Sequence, residues 1–176
     1  MPEVWQAVAR ETQLPELLKT TRDIPVYEDL MDYRLDILRA QGITLTDIQN
    51  EIAKLKPLDG AKDFLDWAGE RFQVAIISDT FYEFAGPLMV QLGDPFLLCH
   101  KLIVEDDRVV GYKLRQTDPK RHSVKAFKSL DLKVIAAGDS FNDVSMLEEA
   151  DHGIFFQAPE NVRAQFPQYP LAADYA

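Results

Sequence analysis

Two aspartates four residues apart form the segment of this sequence best suited to chemistry. Asp139 and Asp143 lie in the loop Gly138-Asp-Ser-Phe-Asn-Asp143, directly after the apolar run Val134-Ile-Ala-Ala137. Carboxylates at the carboxyl end of a parallel strand are typical ligands of a hard cation such as Mg²⁺. If a helix begins between the two aspartates, both carboxylates can face one pocket. The spacing therefore predicts a site that binds Mg²⁺ and a phosphate.

A serine and a lysine elsewhere carry groups that phosphate binding needs. Ser78 follows the β-branched run Gln73-Val-Ala-Ile-Ile77, and its hydroxyl and nearby backbone N–H groups can hydrogen-bond a phosphate. Lys120 follows Pro119 at the predicted start of a helix, where anions are favoured. A Gly-Asp loop alone is most often only a turn, but the ordered combination indicates a phosphate site. The other basic residues of this helix, which we expect to face solvent, are Arg121, Lys125 and Lys128.

The spacing of apolar residues predicts the elements that position these groups. Helical spacing runs from residue 5 to about residue 55, with breaks at Pro15, residues 20–25, Gly42 and residues 44–46. Within the last break, Thr46 is expected to cap the next helix. After Pro57 helices and strands alternate. The predicted helices there are 61–70, 81–92, 119–130 and 143–149, and the predicted strands are 73–77, 97–104, 109–115, 133–137 and 153–156. The tail is expected to be irregular chain.

Alternating helices and strands are typical of an α/β fold. We predict a doubly wound, Rossmann-like parallel sheet formed by residues 57–176, with a helical cap region at residues 1–56. The run 73–77 is too apolar for a half-exposed strand, so we expect a buried parallel strand there, and two further buried strands at 133–137 and 153–156.

Composition and charge exclude several classes of protein. The 176 residues carry 19 basic and 29 acidic side chains, and the net charge of −10 argues against nucleic acid or an anionic membrane as the main partner. The single cysteine, Cys99, cannot form an internal disulfide, and we find neither a signal peptide nor a run of about 18 apolar residues that could span a membrane. We therefore expect a cytoplasmic protein. The three histidines lack metal-ligand spacing and are expected to be packed or exposed in the ordinary way: His100, His122 and His152.

The ordered motifs resemble those of the haloacid dehalogenase-like phosphohydrolases. That family has a Ser or Thr at a strand end, then a Lys, then a G-D-x-x-x-D loop, and these correspond to Ser78, Lys120 and Gly138–Asp143. Within the family the chain is similar to the phosphoserine phosphatases. The segments that favour the branch of phosphoserine phosphatases and phosphoserine:homoserine phosphotransferases are Thr21-Arg-Asp-Ile-Pro25, Ser78-Asp-Thr-Phe-Tyr-Glu83, Asp118-Pro-Lys-Arg121 and Ala158-Pro-Glu-Asn161.

The resemblance implies a role for each candidate residue. It implies catalytic roles for Ser78, Lys120, Asp139 and Asp143. Asp139 would bind Mg²⁺ directly, and Asp143 would hold a metal-bound water or support the groups that bind the metal. Arg34 would hold the substrate carboxylate, and Glu3 its ammonium group. The remaining residues expected at the substrate are Tyr27, Asp79, Thr80 and Asn142. Asp79 and Thr80 depart from the glycines that many phosphoserine phosphatases have after the serine.

The resemblance also implies a nucleophile that this sequence does not contain. The family forms an aspartyl-phosphate on the first aspartate of a D-x-D-like motif, and no such motif occurs before Trp5. Because residues 2–5 already resemble the segment after that motif, we expect the nucleophile upstream of Met1 and the first central strand to be absent. We therefore predict that the chain as given folds poorly and is inactive.

Two functional classes stay open from the sequence. The first is a Mg²⁺-dependent phosphatase of phosphoserine, which could also pass the phosphoryl group to homoserine. The second is a catalytically dead remnant that binds metal, phosphate or a partner. A homodimer is compatible with the sequence, which does not fix the oligomeric state.

Overall fold

The described residues before Lys54 are mostly helical, as the sequence predicts. The computed structural model describes residues 3–20 and 23–175 of the chain. Its first helices are α1 (Glu3–Thr12), α2 (Tyr27–Gln41) and α3 (Leu45–Ala53), with a 3₁₀ turn at Pro15–Leu18. Gly42 ends α2 with a φ of 68°, a conformation that glycine adopts readily.

The cap of α3 differs from the prediction. Thr44, and not Thr46, begins this helix: its hydroxyl accepts a hydrogen bond from the backbone N–H of Asp47, and the Asp47 carboxylate accepts from the Thr44 N–H. Thr46 instead donates from its hydroxyl and its backbone N–H to the carboxylate of Asp107. The sequence could not reveal this contact because the two residues lie 61 positions apart.

The chain divides into two compact units, Met1–Arg115 and Gln116–Ala176. The predicted domain boundary between residues 56 and 57 falls inside the first unit and stays a prediction. After α3, the first unit continues with α4 (Ala61–Gly69), β1 (Ile76–Phe81), α5 (Tyr82–Gln91), β2 (Leu97–Glu105) and β3 (Arg108–Lys113). The strands form a sheet in the order β1-β2-β3, with β1 and β2 parallel and β2 and β3 antiparallel. The hairpin predicted from the polar tip at residues 105–108 is therefore present.

The second unit contains a parallel sheet. Its elements are α6 (Pro119–Ser129), β4 (Ile135–Gly138), a 3₁₀ turn at Phe141–Asp143, α7 (Val144–Glu149), β5 (His152–Phe156), α8 (Glu160–Arg163) and β6 (Leu171–Ala172). The strand order is β4-β5-β6, with both pairs parallel. The parallel strands and flanking helices confirm the predicted α/β class.

The tail is more regular than predicted. It forms α8 and then β6, which pairs with β5 through hydrogen bonds from the Phe155 N–H to the Pro170 carbonyl and from the Gln157 N–H to the Ala172 carbonyl. Prolines in the tail suggested irregular chain, but proline is tolerated where a strand lies at the edge of a sheet.

The runs expected to be buried strands are less covered than predicted, and in β5 only Phe155 is fully buried. β1 begins three residues later than expected, and its residues before Phe81 are only half-buried. Ile135 in β4 is 55% exposed. The reason is that β1 and β4 each lie at the edge of a sheet, so one side of each strand has no neighbouring strand among the described residues.

Candidate active site

The carboxylate of Asp143 accepts four hydrogen bonds from other described groups of the second unit. The residue is buried, and its Oδ1 accepts a hydrogen bond from Lys120 Nζ at 2.8 Å. Its Oδ2 accepts from the backbone N–H of Asp139, from the backbone N–H of Ser140 and from the Ser140 hydroxyl, at 2.9, 3.0 and 2.9 Å. Asp143 therefore fixes the loop after β4 and links it to the start of α6.

Glycine is required at position 138 because the Asp143 side chain lies directly over it. A Cβ at Gly138 would lie 2.4 Å from the Asp143 Cβ and 2.6 Å from its Cγ. No side chain fits at these distances. The Gly-Asp pair that marks the motif thus has a steric origin, and the glycine permits the carboxylate to reach the loop N–H groups.

Asp143 stays ionised because its donors outweigh its burial. Burial opposes ionisation of this carboxyl, but the charge and hydrogen bond of Lys120, with the donors of Ser140 and Asp139, hold the pKa of Asp143 below its ordinary value. The Lys120 side chain is itself only 12% exposed. The pair is therefore a largely desolvated ammonium–carboxylate contact.

Lys120 is positioned by the start of α6. Pro119 occupies the first turn of the helix, and Asp118 precedes it with a φ of 47°. The Asp118 carboxylate accepts a hydrogen bond from the Ser145 hydroxyl of α7 at 2.8 Å. The starts of α6 and α7 are thus joined twice, through Asp118 and Ser145 and through Lys120 and Asp143. This clamp sets the direction of the lysine side chain.

Asp139 is the carboxylate of the loop that remains accessible. It is exposed beyond the end of β4, and its side chain accepts no hydrogen bond from the described residues. Asn142, in the following 3₁₀ turn, is also exposed. Because both oxygens of Asp143 are engaged, Asp139 is the better direct ligand for a cation.

A Mg²⁺ ion that keeps most of its waters fits this donor set. Mg²⁺ commonly uses one or two protein carboxylates, with waters and phosphate oxygens as its other ligands. Within residues 3–20 and 23–175, no group of three or more His, Cys, Asp or Glu side chains could hold a metal. The site therefore suits a metal shared with a substrate phosphate rather than an ion held fully by these residues.

In the first unit, Ser78 lies in a bulge of β1. The register passes from Ile77 opposite Leu98 to Phe81 opposite His100, so that Ser78, Asp79 and Thr80 together face Cys99. Bulges of this kind re-aim side chains and are common beside active sites. The Ser78 Oγ accepts a hydrogen bond from the Thr80 N–H at 3.3 Å, which leaves the hydroxyl hydrogen able to donate to a ligand.

Tyr27, at the start of α2, contacts this bulge. Its hydroxyl donates to the Asp79 carbonyl at 3.5 Å. Burial raises the pKa of Tyr27 to about 12, with Arg34 acting to lower it and Asp79 to raise it further. The phenol is therefore neutral at physiological pH and lies within reach of both charges.

Arg34 is almost fully buried on α2. One Nη donates to the Lys19 carbonyl at 2.7 Å, and the guanidinium carbon lies 4.4 Å from the centre of the Trp5 ring. Its Nε is buried and has no hydrogen-bond partner in the described part of the chain. Burial lowers the pKa of Arg34 to about 10, so the side chain is still cationic near neutral pH. A buried cation with an unused donor is suited to an anionic ligand.

Sequence reasoning missed two residues that hold these groups. Ser140 binds Asp143, and the signal was available because a serine three residues before an acid is the pattern of a capping box. His100 was expected to be an ordinary histidine, but it is buried beside Asp79, whereas His122 and His152 are exposed. No local signal distinguishes His100. The predicted Glu3 contact involves a side chain that lies outside the described residues, as do Thr21 and Arg22.

Comparisons with known proteins agree with the motif order. A model of the family described as haloacid dehalogenase-like hydrolase matches residues 5–151. Phosphoserine phosphatase ThrH of Pseudomonas aeruginosa is 62% identical over 176 residues, covering 99% of this chain and 86% of that protein. Phosphoserine phosphatase of Pseudomonas syringae pv. tomato is 61% identical over 171 residues, covering 97% of this chain and 72% of that protein. Nothing in these matches supports the predicted inactivity.

Solved structures have the same fold. Phosphoserine phosphatase from T. onnurineus, in complex with NDSB-201, has a TM-score of 0.70 and 27% identity, covering 98% of this chain and 82% of that one. An apo phosphoserine phosphatase has a TM-score of 0.73 at 21% identity, covering 92% of this chain and 82% of that one.

Among the described residues, no helix has the length and apolar character needed to cross a bilayer.

Proposed function

The chain belongs to the haloacid dehalogenase-like hydrolases, and we propose that within this family it acts on phosphoserine with the help of Mg²⁺. The observation that carries the proposal is the buried contact between Lys120 and Asp143 in a loop whose exposed carboxylate is Asp139. The names of the two Pseudomonas relatives support phosphoserine as the substrate. This arrangement provides a fixed cation and an accessible carboxylate.

Each of these side chains has a physical role in the proposed reaction. Phosphoryl transfer depends mainly on positioning and on neutralising charge at the phosphate oxygens. Ser78 donates its hydroxyl hydrogen to a phosphate oxygen, while Lys120 contributes positive charge and keeps the loop closed through Asp143. Mg²⁺, held by Asp139 together with substrate oxygens, would supply further positive charge when bound. Asn142 is proposed to orient the substrate from the adjacent turn.

The amino-acid part of the substrate is proposed to bind in the first unit. The unused Nε and the buried charge of Arg34 favour a carboxylate as its ligand. Tyr27 lies two helical turns before Arg34 on α2 and contacts the carbonyl of Asp79, so it would form a wall of the pocket. Burial of these groups strengthens their interaction with a charged ligand because water screens it less.

The proposed reaction proceeds through an aspartyl-phosphate. An aspartate attacks phosphorus, the seryl oxygen leaves with a proton from an acid, and water then releases phosphate. No D-x-D-like motif that could supply this aspartate occurs before Trp5 in the 176 residues. Transfer to homoserine would differ only in the second step, where a substrate hydroxyl replaces water. A cytoplasmic location stays a prediction, and we further propose a part in serine or threonine biosynthesis.

The test compares the 176-residue chain with a version that includes the in-frame upstream codons. We expect the longer protein to release phosphate from O-phospho-L-serine in the presence of Mg²⁺ and to lose this activity in EDTA. Asp139→Asn should lower kcat by about 100-fold or more, because it removes the accessible carboxylate for the metal. Glu148→Gln, at an exposed acid of α7, is the matched control and should leave the rate unchanged.

Two outcomes would contradict the proposal. A longer protein that binds Mg²⁺ yet releases no phosphate from O-phospho-L-serine would favour the catalytically dead remnant. Equal rates for Asp139→Asn and Glu148→Gln would show that Asp139 does not serve the metal. Adding homoserine to the active protein and measuring phosphohomoserine against free phosphate would separate transfer from hydrolysis.

A further inference from the structure

Tyr27 connects the α2 face that carries Arg34 with the segment that carries Asp79. Arg34 follows Tyr27 by seven residues on α2, which places both on one face of the helix. The Tyr27 hydroxyl donates a hydrogen bond to the backbone carbonyl of Asp79 at 3.5 Å. The charges of Arg34 and Asp79 influence the pKa of Tyr27, in opposite directions, as expected if each is near the phenol. A cation and an anion around one hydroxyl form an arrangement that suits a zwitterion.

The Asp79 carboxylate is accessible to a ligand. Its side chain is 34% exposed, whereas that of His100 is 6% exposed. The bulge of β1 turns Asp79 and its two neighbours out of the regular register opposite Cys99. Asp79 directly follows Ser78, the residue proposed to contact phosphate, so its carboxylate lies near the phosphate end of any substrate held there.

His100 lies beside this carboxylate, and one of its ring nitrogens accepts a backbone hydrogen bond. The Arg115 backbone N–H donates to His100 Nδ1 at 3.0 Å, so Nδ1 is an acceptor. We therefore assign the ring proton to Nε2, the nitrogen that lies 4.0 Å from the Asp79 Oδ1. At 4.0 Å the two atoms are too far apart for a direct hydrogen bond, so Nε2 acts on the carboxylate as a nearby polar group.

We propose that Asp79, positioned by His100, binds the ammonium group of an α-amino-acid substrate whose carboxylate is held by Arg34. The inference rests on the proposed phosphoserine phosphatase function and adds a specificity determinant to it. An α-amino acid carries its ammonium and carboxylate groups on one carbon, and Asp79 and Arg34 present the complementary pair of charges around Tyr27. The role is additional to the one expected for Glu3, and His100 acts only through Asp79 as a positioning residue.

The experiment uses the active protein and two substrates that differ in the ammonium group. O-Phospho-L-serine carries both charged groups, whereas phosphoglycolate carries a carboxylate and a phosphate but no ammonium. We expect Asp79→Asn to raise KM for phosphoserine and lower kcat/KM about 10- to 100-fold, as removal of a buried or oriented partner commonly does. The same variant should change kcat/KM for phosphoglycolate by less than about 3-fold. Glu3→Gln, measured beside it, separates the contribution of Glu3.

Variants of His100 test its positioning role. His100→Asn keeps an acceptor near the Arg115 N–H but removes the donor toward Asp79, so it should give about a 10-fold loss confined to phosphoserine. His100→Gln can extend a donor toward Asp79 and should restore most of this loss. In the double variant Asp79→Asn with His100→Asn, the loss should be no larger than for Asp79→Asn alone, because His100 acts through the carboxylate. His122→Gln, at an exposed histidine, is the control.

The outcomes separate this inference from the proposed function. Equal losses for both substrates at an unchanged melting temperature would assign Asp79 a structural role and overturn the inference. So would an unchanged KM for phosphoserine in Asp79→Asn. If Asp79→Asn lowers the melting temperature, Asp79→Glu, which keeps the charge, must retain the preference for phosphoserine or the inference fails. A wild-type protein that hydrolyses phosphoglycolate but not phosphoserine would overturn the proposed function itself.

Discussion

The Asp143 side chain lies directly over Gly138. A Cβ added to residue 138 would be only 2.4 Å from the Cβ of Asp143. This contact lets the carboxylate reach the N–H groups of Asp139 and Ser140. The backbone of the loop and the position of Lys120 both depend on it. The contact therefore gives a direct test of how the loop is built.

Gly138→Ala should displace Asp143 and disrupt the loop. We expect a loss of stability of about 1–3 kcal/mol, as for overpacking in general, together with a large loss of phosphatase activity. Gly86→Ala is the matched control, because a Cβ at Gly86 in α5 meets nothing within 4 Å, and alanine there should be neutral or slightly stabilising. Chemical denaturation measures both. Equal stability of the two variants would contradict the steric role of Gly138.

Lys120→Met should destabilise the protein in a pH-dependent way. The variant leaves a buried carboxylate without its cation, at a cost of about 3 kcal/mol near neutral pH. Because the pKa of Asp143 is lowered in the folded wild type, the stability it contributes is present above the unfolded pKa, near 3.9, and is lost as pH falls through the folded pKa. The difference between wild type and variant should therefore be largest at neutral pH and shrink below about pH 4.

Urea unfolding at a series of pH values measures this difference. Arg121→Met on the same helix is the control, since Arg121 is 53% exposed in its pair with Glu149 and such pairs contribute little. A constant difference between wild type and Lys120→Met from pH 3 to pH 7 would show that the charge of Asp143 does not carry the effect.

The tip of the β2–β3 hairpin should stabilise α3. The Asp107 carbonyl accepts a hydrogen bond from the Leu45 N–H, and its carboxylate accepts from the N–H and hydroxyl of Thr46. Asp107→Ala removes the carboxylate and should cost about 1 kcal/mol, as loss of a helix cap does. Asp106→Ala is a close control, because both residues have positive φ, 46° and 61°, so the backbone strain is shared. Thermal unfolding measures both variants, and an equal decrease in the melting temperature of Asp107→Ala and Asp106→Ala would contradict the capping role.

The lone thiol, Cys99, should be unreactive in the folded protein. Burial raises the pKa of Cys99 to about 12, so only about one thiol in ten thousand is ionised at pH 8. We expect iodoacetamide to label it slowly in buffer and rapidly in urea, where burial is lost. Because Cys99 faces the bulge that contains Ser78, rapid labelling in buffer would mean that β1 and β2 separate readily.

The sequence by itself determined the class of the fold and the order of the motifs. Apolar periodicity predicted the helices, because a helix is held by contacts between residues three or four apart. Pro119 predicted the start of α6, and Gly42 predicted a break, since the backbone preferences of proline and glycine act locally. The family resemblance is confirmed for the same reason: its motifs are short, and their order is visible in the printed chain.

Only the tertiary structure decided which groups the motifs bring together. The two oxygens of Asp143 are taken by Lys120 and by the loop, which leaves Asp139 accessible and gives a physical reason for the ligand role predicted for it. The bulge that aims Ser78 and the burial of His100 beside Asp79 depend on how β1 pairs with β2. Such pairings join residues about twenty positions apart or more, and local sequence patterns carry no information about them.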